Sequence, residues 1–273
     1  MRLLRPMPCI LSRAGRASCV IAGTVNQFER SFVIVQLRSR TPLVPFRLFK
    51  NRSLLGADTG ALFIGAGIFA MFFFLTLWMQ VVNGYSPIKA GLAFLPMTLL
   101  IGVSAGIAAK LLGRTGPRPL LLTGMSLAGV GMLLLGLRLQ PDSSYLTVLL
   151  PSLALVAGGL GMTFVSLTSA AISGVPHDDA GIASALLNAG QQVGGALGLA
   201  ILTAVSASRT ESLLSGGQPA PGQSGAFDAL VSGWATGFLV AAGFLAVGGV
   251  VMGTLINVNN NSATETSKEA IAA

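Results

Sequence analysis

Long uncharged segments dominate the chain after residue 58, with short clusters of charged residues between them. Six such segments cover residues 59–88, 90–109, 119–137, 143–176, 180–208 and 229–264. Each meets or approaches the roughly 20 apolar residues with which a helix crosses the hydrocarbon core of a bilayer. They lack the alternation of a barrel strand, and a backbone in lipid must satisfy its own hydrogen bonds. The pattern predicts transmembrane helices near residues 59–81, 90–110, 119–138, 145–172, 181–207 and 229–256.

Composition argues against the alternative of a soluble helical bundle. Hydrophobic residues make up 52% of the chain and charged residues only 10%, whereas ordinary soluble domains carry about 25% charged residues. Helices of a soluble bundle need a polar face, and the segment Leu62–Leu77 has none. We therefore predict an all-α integral membrane protein, a bundle of six transmembrane helices surrounded by the lipid bilayer.

The basic residues are shared unevenly between the two sides of the predicted bundle. Of the 17 Lys and Arg residues, ten precede the first predicted helix. Three more flank the connection between the second and third helices, namely Lys110, Arg114 and Arg118. The other side receives Lys89, Arg138 and Arg209. The positive-inside rule then predicts a multi-pass protein of the cell membrane with both termini in the cytoplasm. No aromatic-rich basic domain accompanies the net charge of +8, so we predict no nucleic-acid partner.

The two ends of the chain differ from the apolar middle. Residues 1–30 carry arginines and few apolar runs, and the segment Cys19–Gly23 is too short for the core of a signal peptide. A targeting presequence is one interpretation, and we favour a relict start of a longer protein. We divide the chain into a basic, poorly ordered cytoplasmic segment 1–53, a six-helix transmembrane unit 54–257 and a polar tail 258–273.

Four blocks of sequence carry a resemblance to a known family. They are Arg38–Leu54, Leu75–Pro96, Gly113–Gly124 and Val175–Leu202. In this order and spacing they resemble the major facilitator superfamily, and more narrowly the C-terminal six-helix half of the fourteen-helix drug:proton antiporters. The resemblance covers roughly residues 32–256 and implies one half of a major facilitator transporter fold. A complete member of that family has another six-helix half and two linker helices upstream.

The resemblance also implies a function. It suggests a transporter, and no enzyme or cofactor, which exports drugs or other small-molecule substrates in exchange for protons. Alternating access in this fold rocks two halves around a site between them, so we expect transport only with a missing N-terminal half or with a second copy in a homodimer. The alternatives are a truncated membrane protein that does not transport and a partner subunit of a split transporter.

A predicted cytoplasmic turn, residues 113–119, carries two arginines between prolines and glycines. In the superfamily, the equivalent loop holds the inward gate by pairing arginines with acids and helix C-termini. The resemblance therefore implies a gating loop that contains Arg114, Gly116 and Arg118. Gly113 stands where the family often has Asp, which leaves open the other interpretation, a tight turn with positive-inside anchors.

Polar side chains form one stripe on the fifth predicted helix, at spacings of 4, 3 and 1 residues. They are Ser184, Asn188, Gln191 and Gln192. Polar residues in a membrane helix face the bundle interior or a water-filled cavity, so this stripe is a candidate substrate-facing surface. The alternative is a set of interhelical hydrogen bonds, each worth about 0.6 kcal/mol.

Glycines recur every four residues beside this stripe, at Gly190, Gly194 and Gly198. Such spacing lets two helices approach closely, so we predict a helix-packing face. The same spacing occurs in three other predicted helices, at Gly102 and Gly106, Gly233 and Gly237, and Gly249 and Gly253. We expect all of these positions to pack against neighbouring helices.

Three features suggest chemistry at first sight. The segment Gly102–Gly106 matches the G-x-S-x-G motif of serine hydrolases, but it lies inside a predicted membrane helix and far in sequence from His177, the only histidine. His177, Asp178 and Asp179 are adjacent residues that cannot converge on one ion, so no metal site is predicted. Asp58 has two interpretations, a proton or cation site, or an anion at the interface at the N-terminal end of the first helix, and we favour the second.

Overall fold

The computed structural model describes residues 51–173, 175–215 and 223–255, which belong to one compact unit, Leu48–Ala273. Within these ranges, six helices are long and apolar enough to cross a membrane. They are α1 Arg52–Val82, α2 Pro87–Thr115, α3 Pro117–Arg138, α4 Tyr145–Ile172, α5 Ala180–Ser215 and α6 Gln223–Leu255. The prediction of an all-α membrane bundle with six crossings is confirmed. The predicted tail 258–273, and all but three residues of the predicted segment 1–53, lie outside the described ranges.

Several helices extend beyond their predicted ends. α1 begins at Arg52 rather than near residue 59, because the Asn51 side chain accepts hydrogen bonds from the backbone N–H groups of Ser53 and Leu54, at 3.0 and 3.4 Å. This is an N-cap, which supplies acceptors for the first free N–H groups of a helix. α5 continues to Ser215 rather than ending near residue 207. Charged residues therefore lie inside the helix ends, where the helices extend past the hydrocarbon core into the headgroup region.

The six helices form two layers. In the front layer the order is α2, α4, α1 and α5, with α2 packed on α4, α4 on α1, and α1 on α5. The back layer contains α3 and α6, which pack on each other. α3 also contacts α4, and α6 also contacts α1 and α5. The outer positions of the front layer thus belong to α2 and α5.

Small residues and aromatic rings make the layers fit together. Gly124 of α3 and Gly159 of α4 lie so close that a Cβ on Gly124 would stand 2.8 Å from the Gly159 carbonyl oxygen. Phe74 of α1 and Phe238 of α6 meet edge to face, with ring centroids 5.7 Å apart. Dispersion between closely packed atoms is the main attraction between helices in lipid, where apolar burial alone gives little gain.

Ser104, the serine of the apparent hydrolase motif, is part of this packing. It is buried between α2 and α4, where its hydroxyl donates to the Ala157 carbonyl oxygen at 3.1 Å. Gly161 of α4 lies directly against it. The motif is therefore a helix contact, without the strand–turn–helix context that exposes a nucleophilic serine.

Candidate functional site

The polar stripe of α5 lies partly on the open side of the bundle. Ser184 and Gln191 are half-buried, and Asn188 and Gln192 are exposed. The Ser184 hydroxyl donates to the Ala180 carbonyl oxygen at 3.1 Å, and the Asn188 side-chain amide donates to the Ser184 carbonyl oxygen at 3.0 Å. Both bonds stay within α5, so these two bonds do not join helices. Amide groups of the stripe are left available to a polar molecule in front of the helix.

The neighbouring glycine row lies against α1. Gly190 meets Asp58, Gly194 meets the backbone of Leu62, and Gly198 meets Ala66. A side chain at any of these positions would overlap with α1. Because the glycine face is fixed to α1, the exposed members of the stripe are held on a different side of the same helix. The packing thus sets the direction in which the stripe points.

The other predicted glycine faces differ from this one. Gly233 and Gly237 meet the α5 residue Thr210 and the α1 residue Phe74, so this pair packs as predicted. A Cβ on Gly102 or Gly106 would meet no described atom within 4 Å, so the prediction that this pair packs against another helix of the bundle is wrong. The reason is the position of α2, whose glycines point away from α4 at the outside of the front layer.

Asp58 lies deeper than the sequence indicated. α1 starts at Arg52 and has no acidic residue in its first turn, so Asp58 lies in the second turn. The expectation of an anion at the end of the helix is therefore wrong. Its Oδ1 atom is buried and has no hydrogen-bond partner among the described residues. A Cβ on Gly190 would stand only 2.6 Å from it. Asn51, a residue favoured at N-caps, was the sequence signal that could have placed the start of α1 at Arg52 and Asp58 in the second turn.

The predicted gating loop is reduced to one residue. Gly116 alone separates α2 from α3, and its φ of 77° is a backbone conformation that favours glycine. Arg114 therefore lies in the last turn of α2, and Arg118 lies in the first turn of α3. The expectation of a seven-residue turn is corrected because Pro117 opens α3 directly, as proline does at the first position of a helix.

The two arginines have different surroundings. The Arg118 guanidinium donates from Nη2 to the Gly253 carbonyl oxygen, at 2.6 Å, in the last turns of α6. A cation at a helix C-terminus satisfies a free carbonyl group and complements the helix dipole. Arg114 is exposed. Arg118 thus pairs with a helix end within the same six-helix bundle, while a role of either arginine in gating stays a prediction.

The outer helices of the front layer are the least buried. Only 17% of the residues in the most apolar stretch of α2 are buried, and 28% in that of α5, against 56% for α1. The open face of α2 carries Leu99 and Val103, which are 70% and 60% exposed. The two outer helices of the front layer therefore each have an uncovered face, which is apolar on α2 and partly polar on α5.

No group of three or more His, Cys, Asp or Glu side chains within the described ranges is placed to hold a metal ion. His177–Asp179 forms a short 3-10 turn before α5.

Helix number, the layered arrangement and the sequence blocks all point to one class of membrane transporter. The family model of the Major Facilitator Superfamily matches residues 14–199. The chain belongs to this family, whose members are transporters rather than enzymes. The match begins before residue 32, where the resemblance read from the sequence starts, and so includes part of the basic N-terminal segment.

The relatives include a resistance protein, an export protein and an uncharacterized transporter. The chain is similar to the puromycin resistance protein pur8 of Streptomyces alboniger, with 36% identity over 244 residues, 88% of the chain and 48% of the relative. It is 38% identical to the cephamycin export protein CmcT of Amycolatopsis lactamdurans over 66% of the chain and 37% of the relative. It is 35% identical to the uncharacterized MFS-type transporter EfpA of Mycobacterium tuberculosis (strain ATCC 25618 / H37Rv), over 70% of the chain and 36% of the relative. The chain thus spans about half or less of the length of these relatives.

Proposed function

We propose that residues 54–257 form one half of a proton-coupled efflux transporter for drugs or other small molecules. The family membership and the names of the relatives support this proposal, since two of them are described as a puromycin resistance protein and a cephamycin export protein. Proton coupling comes from the resemblance to drug:proton antiporters.

The observation that carries the proposal is the uncovered front layer. Alternating access needs two bundles that face each other around a site at the middle of the membrane. The exposed amides of Asn188 and Gln192 on α5 and the open glycines Gly102 and Gly106 on α2 are the groups that we assign to such a face. Small residues let a second bundle approach closely and still slide. The second bundle is either another part of a longer chain, a separate chain or a second copy.

We further propose a cell-membrane location with both termini in the cytoplasm. Among the described residues, the end of the bundle where α2 meets α3 carries Arg52, Lys110, Arg114 and Arg118. This end is called the basic end below. The opposite end has Lys89, Arg138 and Arg209. Cytoplasmic loops carry an excess of Lys and Arg, which supports this orientation.

The experiment is a transport assay on the chain reconstituted into proteoliposomes with an imposed pH gradient. Ethidium is the reporter substrate, and single-molecule photobleaching counts the copies of the chain in each liposome. We expect uptake only in liposomes that hold two or more copies, and collapse of the pH gradient should abolish it. Uptake by single copies would contradict the need for a second bundle. No uptake at any copy number would favour the non-transporting alternative, unless co-expression with an N-terminal six-helix half restored it.

The stripe is tested by a matched pair of variants in the same assay. Asn188→Leu removes an exposed amide of the stripe, whereas Val193→Leu changes an apolar residue that is 51% exposed on the same helix. We expect the first variant to reduce uptake severalfold and the second to leave it near the wild-type rate. Equal rates in both variants would remove the stripe from the proposed substrate surface.

A further inference from the structure

A groove runs between α3 and α6 on the back layer of the bundle. It encloses about 820 Å³ and is lined almost entirely by apolar side chains and glycine. From this groove we infer a second binding site: it holds an acyl chain of one anionic phospholipid, whose phosphate is bound by Arg118. The inference does not depend on transport or on which side of the membrane the basic end faces.

The groove is formed by glycines on α3 and α6, where no side chain fills the space between the two helices. A Cβ on Gly243 would meet no described atom within 4 Å, and on Gly129 the nearest atom would be Leu245 Cβ at 3.9 Å. A Cβ on Gly249 would only touch Met125 Cβ, at 3.5 Å. These glycines are therefore not needed for close packing of α3 on α6. They leave an open apolar slot that lipid must fill in a membrane.

The groove is long enough to hold one acyl chain. It extends along α3 from Arg118 to Leu133. Fifteen helical steps of 1.5 Å give about 22 Å, whereas half of the hydrocarbon core of a bilayer is about 15 Å. A single acyl chain that enters at the basic end therefore has apolar lining through the whole depth of its leaflet.

Charge determines which lipid fits. Arg118 lies at the mouth of the groove, and its bond to the Gly253 carbonyl oxygen uses one of the five guanidinium N–H donors. The planar fork of donors that remains suits a phosphate. No Asp or Glu occurs among the described residues that line the groove. Basic pockets between membrane helices favour anionic headgroups, so phosphatidylglycerol should bind better than phosphatidylcholine.

The position of the groove separates it from the proposed substrate surface. The polar stripe belongs to α5 at the edge of the front layer, whereas the groove is formed by the two helices of the back layer. An occupant of the groove therefore faces the bilayer rather than a second bundle. Lipid in the groove and substrate at the front can be measured independently.

The test is native mass spectrometry of the full chain released from nanodiscs that contain equal amounts of phosphatidylglycerol and phosphatidylcholine. One arginine near the membrane surface contributes about 1 kcal/mol toward an anionic lipid, so we expect a preference of roughly fivefold for one bound phosphatidylglycerol. Gly243→Phe fills the groove and should remove the retained lipid. Arg118→Gln should keep the lipid but lose the preference.

Two controls match these variants. Gly102→Phe adds the same side chain at an equally open glycine of α2, and Arg209→Gln removes a basic residue from the opposite end of the bundle. Both should retain phosphatidylglycerol as the wild type does. If Gly243→Phe fails to fold, Gly249→Leu takes its place. Retention of the lipid by a folded groove-filling variant, or equal retention of both lipids by the wild type, would overturn the inference.

Discussion

The glycine row of α5 gives a sharp prediction about stability. A Cβ on Gly194 would overlap the carbonyl oxygen, the carbonyl carbon and the Cα atom of Leu62. These are backbone atoms, so no rotation of a side chain can relieve the overlap. Gly194→Ala therefore forces α1 and α5 apart at this point, whereas the same change at Gly102 meets no described atom within 4 Å.

The size of the effect follows from the packing that is lost. A gap of 0.5–1 Å removes roughly a quarter to a half of the dispersion energy of each contact, and overpacking typically costs about 1–3 kcal/mol. We expect Gly194→Ala to lower the free energy of unfolding by about 2 kcal/mol. Gly102→Ala should be neutral or gain up to ~1 kcal/mol, because alanine favours helix over glycine.

Thermal unfolding in detergent, followed by intrinsic fluorescence, measures the difference. The chain has two tryptophans, Trp78 and Trp234, and both are buried in the bundle. For a protein of this size about 2 kcal/mol corresponds to roughly 4–8 °C in Tm. A Tm for Gly194→Ala equal to or above that of Gly102→Ala would refute the assignment of this row to the contact with α1.

Three further predictions concern single side chains. Asp58→Asn should raise Tm slightly, because it removes the charge of a carboxylate whose Oδ1 atom is buried and has no hydrogen-bond partner in the described part of the chain. A lower Tm would mean that a donor reaches this carboxylate. Gly116→Ala should lower the free energy of unfolding by about 1–2 kcal/mol, because a φ of 77° strains a residue that has a Cβ. The control Gly113→Ala, three residues earlier, should not lower Tm. Trp78→Phe should lower the free energy of unfolding by about 1 kcal/mol in the same melting experiment, since the indole N–H donates to the Gln140 carbonyl oxygen at 3.0 Å. An unchanged Tm would show that water replaces this hydrogen bond.

The sequence predicted the number and type of the helices better than their ends. Uncharged length decides whether a segment can cross the membrane, so six crossings followed directly from the pattern. The same criterion placed the start of α1 after Asp58, because charges were treated as boundaries. The structure begins α1 at Arg52, since a helix continues into the headgroup region once Asn51 caps it.

The sequence does not show which face of each helix contacts a neighbouring helix. Gly190 and Gly194 have the same spacing as Gly102 and Gly106, yet only the first pair lies against another helix. Spacing shows that a face can pack, but the arrangement of the six helices decides whether a neighbour stands there. For the same reason the sequence identified the polar stripe of α5 without showing that Asn188 and Gln192 are its exposed members.

The single-residue link at Gly116 restricts how α2 can move. Two consecutive Cα–Cα steps of about 3.8 Å keep Thr115 and Pro117 within roughly 7.6 Å of each other, so the joined ends of α2 and α3 cannot separate. Any tilt of α2 must pivot at this end, and the end near Pro87 makes the larger excursion. The continuous helical segment Leu95–Thr115 has 21 residues, so each ten degrees of tilt moves its far end by about 5 Å. Because of the one-residue link, a tilt of α2 leaves its Thr115 end nearly in place and moves its other end on the opposite side of the membrane.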